Sequence, residues 1–445
     1  MEKVVVLGAG ESGVGAAVLA KDKGCDVFVS DFGKIAAKYK DVLAREGIAW
    51  EEGGHSMDRI LAADIVVKSP GIAKETPVMR AVAEHNIPVV SEIEFAGRYT
   101  DSKMICITGS NGKTTTTLLT YHILQKAGVD VGLAGNVGKS LALQVARDPH
   151  AVYVIELSSF QLDNMYKFHA NIAILLNITP DHLDRYEYKM ENYVDAKFRI
   201  LQNQTADDAF VYWTGDPVMA KKLETTTVEA TSYPFAEAEA PQLAAYVDTA
   251  DNLVVRTPKH TLLVPRKNLS LSGLHNLYNS MAAATAALLA GVETSVICEA
   301  LGDFPGVEHR LEYVRTLDGV RYINDSKATN VNSTFYALQA MTTPVVLILG
   351  GKDKGNDYSE ILPFVKEKVK KIVAMGLHNE KIVDFFGEVV PVVSTDNLAD
   401  AIAECRAAAK DGDTVLLSPC CASFDLFNSY EDRGEKFKAA VHNLK

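Results

Sequence analysis

Two turns in this chain combine glycine with residues suited to phosphate. The first, Gly8-Ala9-Gly10-Glu11-Ser12-Gly13, follows the apolar run at residues 4–7 and precedes a helical pattern, with Asp31 closing the next apolar run. Its glycines permit a tight turn, close approach of backbone to phosphate and close helix packing, and a helix N-terminus offers free N–H groups. NAD, FAD or a UDP-sugar would fit, and Glu11 weighs slightly against a dinucleotide because its carboxylate would sit near the pyrophosphate. The second turn, Gly109-Ser110-Asn111-Gly112-Lys113-Thr114-Thr115, reads G-x-x-G-K-T; Ile107 stands where the strict phosphate-loop pattern has its first glycine. A nucleoside triphosphate needs backbone N–H groups around its terminal oxygens, one mobile cation and a hydroxyl for Mg²⁺. Gly109, Lys113 and Thr114 supply these.

Polar residues also stand in segments that otherwise read as core: Asn136, Glu156 at the end of VYVIE, His182 and Asp184 in NITPDHLDR, and Lys197 in a helical stretch. Carboxylates at the carboxyl edge of a parallel sheet beside a phosphate loop would suit a second Mg²⁺. A lysine there repels the metal unless it pairs with phosphate or is converted by CO₂ to an anionic carbamate. A last group comprises His309-Arg310, the run Asn324 to Asn330, Gly350 to Gly355, and Ser418 to Ser423. Each is expected to follow an apolar strand and lie on the ligand-bearing edge of an open sheet. Their Lys, Ser and Thr content suggests a small carboxylate substrate.

Positioning these groups requires alternating strands and helices, and short apolar runs do alternate with helical patterns for most of the length, the mark of βαβ units. MICITGSNGKTTTT restarts the strand, turn, helix order near residue 99. Residues 205–270 turn polar and then alternate, which reads as an antiparallel appendage, and an Ala-rich helix follows at 275–290. After the Pro-Gly break in GDFPGVEHR a third α/β series begins. The expected fold is therefore α/β in three domains: a Rossmann-like sheet over 1–98, a central phosphate-loop mononucleotide-binding domain with a small antiparallel appendage over 99–305, and a C-terminal Rossmann-like domain over 306–445.

The composition agrees with this size. The 445 residues carry 45 Lys and Arg against 57 Asp and Glu, a net charge of −12, with 47% hydrophobic and 23% charged residues. This excludes disordered, collagen-like and disulfide-scaffold classes and makes nucleic acid or anionic membrane a poor partner. Any anion site must be local. The six cysteines form no C-x-x-C pair and no zinc spacing, so they read as reduced thiols of a cytoplasmic protein. MEKVVVLGAG reads as a strand rather than a leader, and no apolar stretch is long enough to span a bilayer.

Taken together, GAGESG, SPGI, TGSNGKTTT, GNVG, ELSSFQL, NITPDHLDR, the lysine of DAKFRI, LSGLHNLYN, EHRLE, INDSKATN, GGKDKG and SPCCASFDLFNSYEDRG resemble the Mur ligase family in order and over all three domains. The first turn with SPGI, and the last string, resemble the D-glutamate-adding members. Cys420 replaces the family's small Ala and Tyr430 its Phe. The resemblance implies an ATP-dependent ligase joining D-glutamate to UDP-N-acetylmuramoyl-L-alanine through an acyl phosphate, in peptidoglycan precursor synthesis. It implies that Lys113 meets the γ-phosphate, Thr114 one Mg²⁺, and Glu156, His182 and a carbamylated Lys197 a second. ATP would contact Gly109, Ser110, Asn111, Gly112, Lys113, Thr114, Thr115, Asn276, Asn279, Arg310 and Asp325. The UDP-sugar would contact Glu11, Ser12, Asp31, Phe32, Gly71, Asn136 and Ser158. D-glutamate would contact Lys327, Thr329, Lys354, Ser423 and Tyr430. On this reading no NAD binds, the chain is a monomer, and the last domain closes to keep water from the acyl phosphate. A nicotinamide oxidoreductase, a non-catalytic nucleotide switch and a folylpolyglutamate-type ligase are the alternatives.

Overall fold

The computed structural model describes residues 1–445. The chain divides into two compact units, Met1–Leu269 with Tyr278–Phe304, and Ser270–Leu277 with Pro305–Lys445.

The first unit holds two sheets. Strands β1 (Lys3–Leu7), β2 (Asp26–Asp31), β3 (Ala49–Glu52), β4 (Ile65–Lys68) and β5 (Val89–Val90) form a parallel sheet in the order β3-β2-β1-β4-β5. Val4, Val6, Val29 and Val66 are fully buried, as expected for strands covered on both faces. The strand order reverses beside β1, so the glycine turn after β1 sits at the switch point where open α/β sheets bind ligands.

The second sheet has nine strands: β6 (Lys103–Thr108), β7 (Val131–Gly135), β8 (Val152–Glu156), β9 (Ile172–Leu175), β10 (Ala209–Trp213), β11 (Thr231–Ala238), β12 (Ala245–Val247), β13 (Asn252–Arg256) and β14 (Thr261–Pro265), in the order β14-β13-β12-β11-β10-β9-β6-β8-β7. Here the sequence expectation for 205–270 needs correction. β10, β11 and β12 extend the parallel sheet, and antiparallel pairing is confined to β12 with β13 and β13 with β14. Polar flanks around β11 had hidden this, because the strand buries only its middle residues Pro234 and Phe235.

Buried side chains join the two sheets. Gly15, in the helix Glu11–Asp22, would place a Cβ 2.0 Å from Ser140 Oγ, so only glycine leaves room for that serine. Ser140 in turn donates to Glu92 Oε1 at 2.6 Å, and the Ala142 N–H donates to the same oxygen at 2.6 Å. Glu94 accepts from the backbone N–H groups of Tyr166, Lys167 and Phe168.

The second unit contains β15 (Glu312–Leu317), β16 (Val320–Asn324), β17 (Val345–Leu349), β18 (Val369–Met375), β19 (Val392–Thr395) and β20 (Thr414–Leu417), in the order β15-β16-β20-β17-β18-β19, with β15 antiparallel at the edge. No helix is long and apolar enough to cross a membrane. All six cysteines are free, five of them buried and Cys298 partly so.

Candidate active site

In the central sheet, β6 lies between β8 and β9, so the turn that follows β6 emerges between the ends of those two strands. Gly112, at φ +85°, caps the helix Lys113–Lys126, and a Cβ there would come within 2.4 Å of Asn279 Oδ1. Asn279 accepts from Thr116 Oγ1 at 3.2 Å, which ties the loop's helix to the Ala-rich helix Leu274–Leu289. The loop is held open by side chains from the end of β9. Asn177 Oδ1 accepts from the Asn111 N–H at 2.8 Å, and Asn177 Nδ2 donates to Asn111 O at 3.0 Å. Ser110 Oγ donates to Thr179 O at 2.9 Å and shares a 2.9 Å hydrogen bond with Tyr193 OH. Thr114 and Thr115 are buried in the first helical turn.

Two lysines meet at this loop. Lys113 Nζ donates to Gly109 O and Ser110 O, both at 2.8 Å, and Lys197 Nζ donates to the same Gly109 O at 2.8 Å. Lys197, on the helix Met190–Phe198, is 1% exposed. Burial, reinforced by the nearby Lys113 charge, holds its amine well below the usual lysine range, against the opposing pull of Asp181, Glu156 and Asp163. Glu156 ends β8 and is buried. Its Oε1 accepts from Asn136 Nδ2 at 2.9 Å, whereas its Oε2 is buried without a hydrogen-bond partner. An orphaned carboxylate oxygen beside a phosphate loop suits a hard divalent cation. His182 has a left-handed backbone, φ 52°, and its ring packs edge-on against Phe160 at 5.2 Å and lies 3.6 Å from Asp181.

At the N-terminal turn, Asp31 accepts from the Ala9 N–H at 2.7 Å and the Gly33 N–H at 2.8 Å, so its carboxylate shapes the turn. Phe32 is 75% exposed, Glu11 and Gly71 are exposed and Ser12 is half-buried. Tyr39 OH donates to Glu11 at 3.2 Å. Ser158 caps the helix Ser159–Leu162 in a reciprocal box with Gln161.

In the second unit the order β16-β20-β17 places three loops side by side: the run after Asn324, the run after Leu417 and the glycine pair after Leu349. Lys352 N–H donates to Ala422 O at 2.8 Å and Asn356 Nδ2 to Cys420 O at 3.1 Å. Asp325 is buried, accepts from Ser418 Oγ at 2.8 Å, and is pushed up to about 7 by burial, an effect the Arg310 charge opposes. Lys327 stands over the Tyr430 ring at 5.3 Å. Thr329 N–H donates to Lys327 O, Ser423 is buried, and Lys354 is exposed on its loop. Asn276, in the same unit, donates to Ser272 O at 2.8 Å. One expectation fails here: His309 and Arg310 precede the edge strand β15 rather than following a strand. His309 still reaches the strand ends, through a 2.9 Å hydrogen bond between its Nδ1 and Asn324 Nδ2, because β15 pairs antiparallel with β16.

Sequence reasoning missed Arg433. Its guanidinium, 1% exposed, donates to Ser326 Oγ at 2.9 Å, Ser326 O at 2.7 Å and Cys421 O at 3.2 Å, clamping two of the three loops. An arginine in a charged helical stretch reads as a surface residue; only its burial marks it.

Three family models match the chain: Mur ligase MurD-like, N-terminal domain over residues 2–91, Mur ligase middle domain over 107–287, and Mur ligase, glutamate ligase domain over 309–421. A UDP-N-acetylmuramoylalanine–D-glutamate ligase of Bacteroides fragilis is 59% identical, with 100% of each chain covered. A protein of the same description from Porphyromonas gingivalis is 55% identical over 99% of this chain and 98% of its own. Among solved structures, the UDP-N-acetylmuramate-alanine ligase of Thermotoga maritima matches with a TM-score of 0.63 at 17% identity, covering 100% of both chains. A MurF of Acinetobacter baumannii matches with a TM-score of 0.62 at 18% identity, covering 94% of this chain and 85% of its own. At such identities these two structures share the fold.

Proposed function

The chain belongs to the Mur ligase family, and from that premise we propose that it joins D-glutamate to UDP-N-acetylmuramoyl-L-alanine at the expense of ATP, a step of peptidoglycan precursor synthesis. The observation that carries this reading is full-length similarity to curated D-glutamate ligases. The phosphate loop and the three clustered loops of the second unit give it chemical sense.

ATP transfers its γ-phosphoryl group to the substrate carboxylate. The amine of D-glutamate then attacks the acyl phosphate through a tetrahedral intermediate, and phosphate leaves. Most of the acceleration comes from positioning and charge neutralisation. The backbone of residues 109–112, with Lys113, Thr114 and Thr115, receives the phosphates. On ATP binding the Lys113 ammonium exchanges the Gly109 and Ser110 carbonyls for the γ-phosphate. Asn276, Asn279, Arg310 and Asp325 hold the rest of the nucleotide. Thr114 would hold one Mg²⁺, and Glu156, His182 and Lys197 a second; the bound ions neutralise phosphate charge. Only an unprotonated amine reacts with CO₂, and burial beside Lys113 favours that form of Lys197; the resulting carbamate is an anion fit for a metal.

Glu11, Ser12, Asp31, Phe32, Gly71, Asn136 and Ser158 take the UDP-sugar, and Lys327, Thr329, Lys354, Ser423 and Tyr430 take D-glutamate. Residues 1–98, 99–305 and 306–445 thus divide the work between UDP-sugar, ATP and amino acid. The enzyme works in this reading as a cytoplasmic monomer without nucleic acid or membrane partners.

The deciding assay is ATP-dependent phosphate release with UDP-N-acetylmuramoyl-L-alanine and, in parallel, D-glutamate, L-glutamate, lysine and diaminopimelate. Release with D-glutamate alone is expected, and release with another amino acid in its place overturns the substrate assignment.

A further inference from the structure

At the carboxyl edge of the N-terminal sheet a chain of hydrogen bonds ends on a histidine. Ser30, the penultimate residue of β2, pairs in register with Leu7 of β1 and Glu51 of β3, and its carbonyl accepts from the Gly8 N–H of the first glycine turn at 2.9 Å. Ser30 is fully buried, and its Oγ lies 2.6 Å from Glu51 Oε1 and 2.7 Å from Nδ1 of His55, just past the end of β3. The hydroxyl has one proton for two neighbours. Burial opposes ionisation of Glu51, yet hydrogen bonds from the Ser30 hydroxyl and from the backbone N–H and hydroxyl of Ser56 hold its carboxyl below the usual range. An ionised carboxylate only accepts, so the Ser30 proton goes to Glu51 and the Nδ1–H of His55 donates to Ser30 Oγ.

In the neutral ring that donates at Nδ1, the lone pair sits on Nε2. This nitrogen makes no hydrogen bond within the protein. The two ring nitrogens point in divergent directions, so tying Nδ1 to the buried strand end turns Nε2 away from the sheet, and the ring is only half-buried. Its centre stands 5.9 Å from that of Phe32, the exposed aromatic at the end of β2. An open aromatic face beside a fixed acceptor suits a planar base, stacking giving affinity and the edge hydrogen bond giving identity. Uracil presents a donor, N3–H, between two carbonyl oxygens, whereas cytosine has a lone pair at N3.

We propose that His55 selects the base of the nucleotide-sugar substrate: with the base stacked on Phe32, Nε2 accepts from uracil N3–H, and Glu51 acting through Ser30 holds the ring in its accepting tautomer. This deepens, and rests on, the reading that Phe32 and the first glycine turn take the UDP-sugar. A cytidine nucleotide sets its N3 lone pair against that of Nε2 and is rejected.

The test compares turnover of UDP-N-acetylmuramoyl-L-alanine and its cytidine counterpart by wild type, His55→Leu and Ser30→Ala. Wild type should favour the uridine substrate about tenfold or more in kcat/KM. His55→Leu should bring the ratio close to one by raising the KM of the uridine substrate, with the KM for ATP unchanged. Ser30→Ala, which keeps the ring but frees its tautomer, should lose part of the preference. A ratio measured within one preparation does not depend on how much of the enzyme is folded. In spectra of isotope-labelled histidines, the His55 signals, identified by their loss in His55→Leu, should show the proton on Nδ1 and an Nε2 resonance that moves when the uridine substrate is added without ATP. Equal kcat/KM for both substrates in wild type, an undiminished preference in either variant, or a proton on Nε2 in place of Nδ1 overturns the assignment and leaves the UDP-sugar site standing. Absence of any turnover or binding of the uridine substrate overturns the UDP-sugar reading itself, and the role of His55 with it.

Discussion

Lys113 and Lys197 converge on the carbonyl oxygen of Gly109, and their two environments assign them different chemistry. Lys113 is half-buried and can swing to phosphate, so Lys113→Ala should lower turnover on the order of 10²-fold or more by removing a transition-state charge contact; phosphate-release kinetics read this directly, and a near-normal rate contradicts the phosphate-loop assignment. Lys197 is sealed in, with its charged form disfavoured. Lys197→Ala should be nearly inactive yet recover measurable turnover in added acetate or formate, small carboxylates that fit the space of a carbamate. If neither anion restores any rate, the carbamate has lost its support.

Among the elements, sheet order does the assembling. Loops distant in sequence, after Asn324, Leu349 and Leu417, become neighbours because β20 inserts between β16 and β17. Arg433, at the start of the last helix, then fastens the Ser326 and Cys421 loops. Arg433→Lys keeps a charge but loses the planar fork that reaches both loops at once. We expect the KM for D-glutamate to rise roughly tenfold or more, as for losing hydrogen bonds from a charged donor, with kcat and the KM for ATP much less affected. A fall in kcat with both KM values unchanged marks loss of folded enzyme instead.

For the molecule as a whole, Glu92 is a buried link between the N-terminal and central sheets. Burial pushes its carboxyl up to about 7, against the hydrogen bonds from Ala142 and Ser140. Its folded value is above its unfolded one, so between about pH 4.5 and 7 the native state holds a proton that the unfolded chain has released. The stability it contributes is full below that window and lost as pH rises through it. Urea unfolding should therefore show wild type losing about 2–3 kcal/mol more than Glu92→Gln between pH 5 and pH 8, the amide being able to accept the same two hydrogen bonds. Parallel pH dependence in the two proteins excludes Glu92 as the titrating group.

The sequence by itself determined the α/β class, the two glycine turns and the order of strand, turn and helix around Lys113, because these rest on local spacing and on runs of apolar residues long enough to be read. It also identified Glu156, at the end of an apolar run, as out of place in a core, and placed the run after Asn324 on the ligand-bearing edge of a sheet. It could not determine strand neighbours. That β10 and β11 continue the parallel sheet, that Asn177 braces the phosphate loop, and that Arg433 is buried all depend on pairings between segments far apart in the chain. Hydrogen-bond partners and burial are properties of those pairings, and so are the electrostatics of Lys197. The sequence marks that lysine as a cation out of place beside a metal, and only its enclosure beside Lys113 disfavours the charged form.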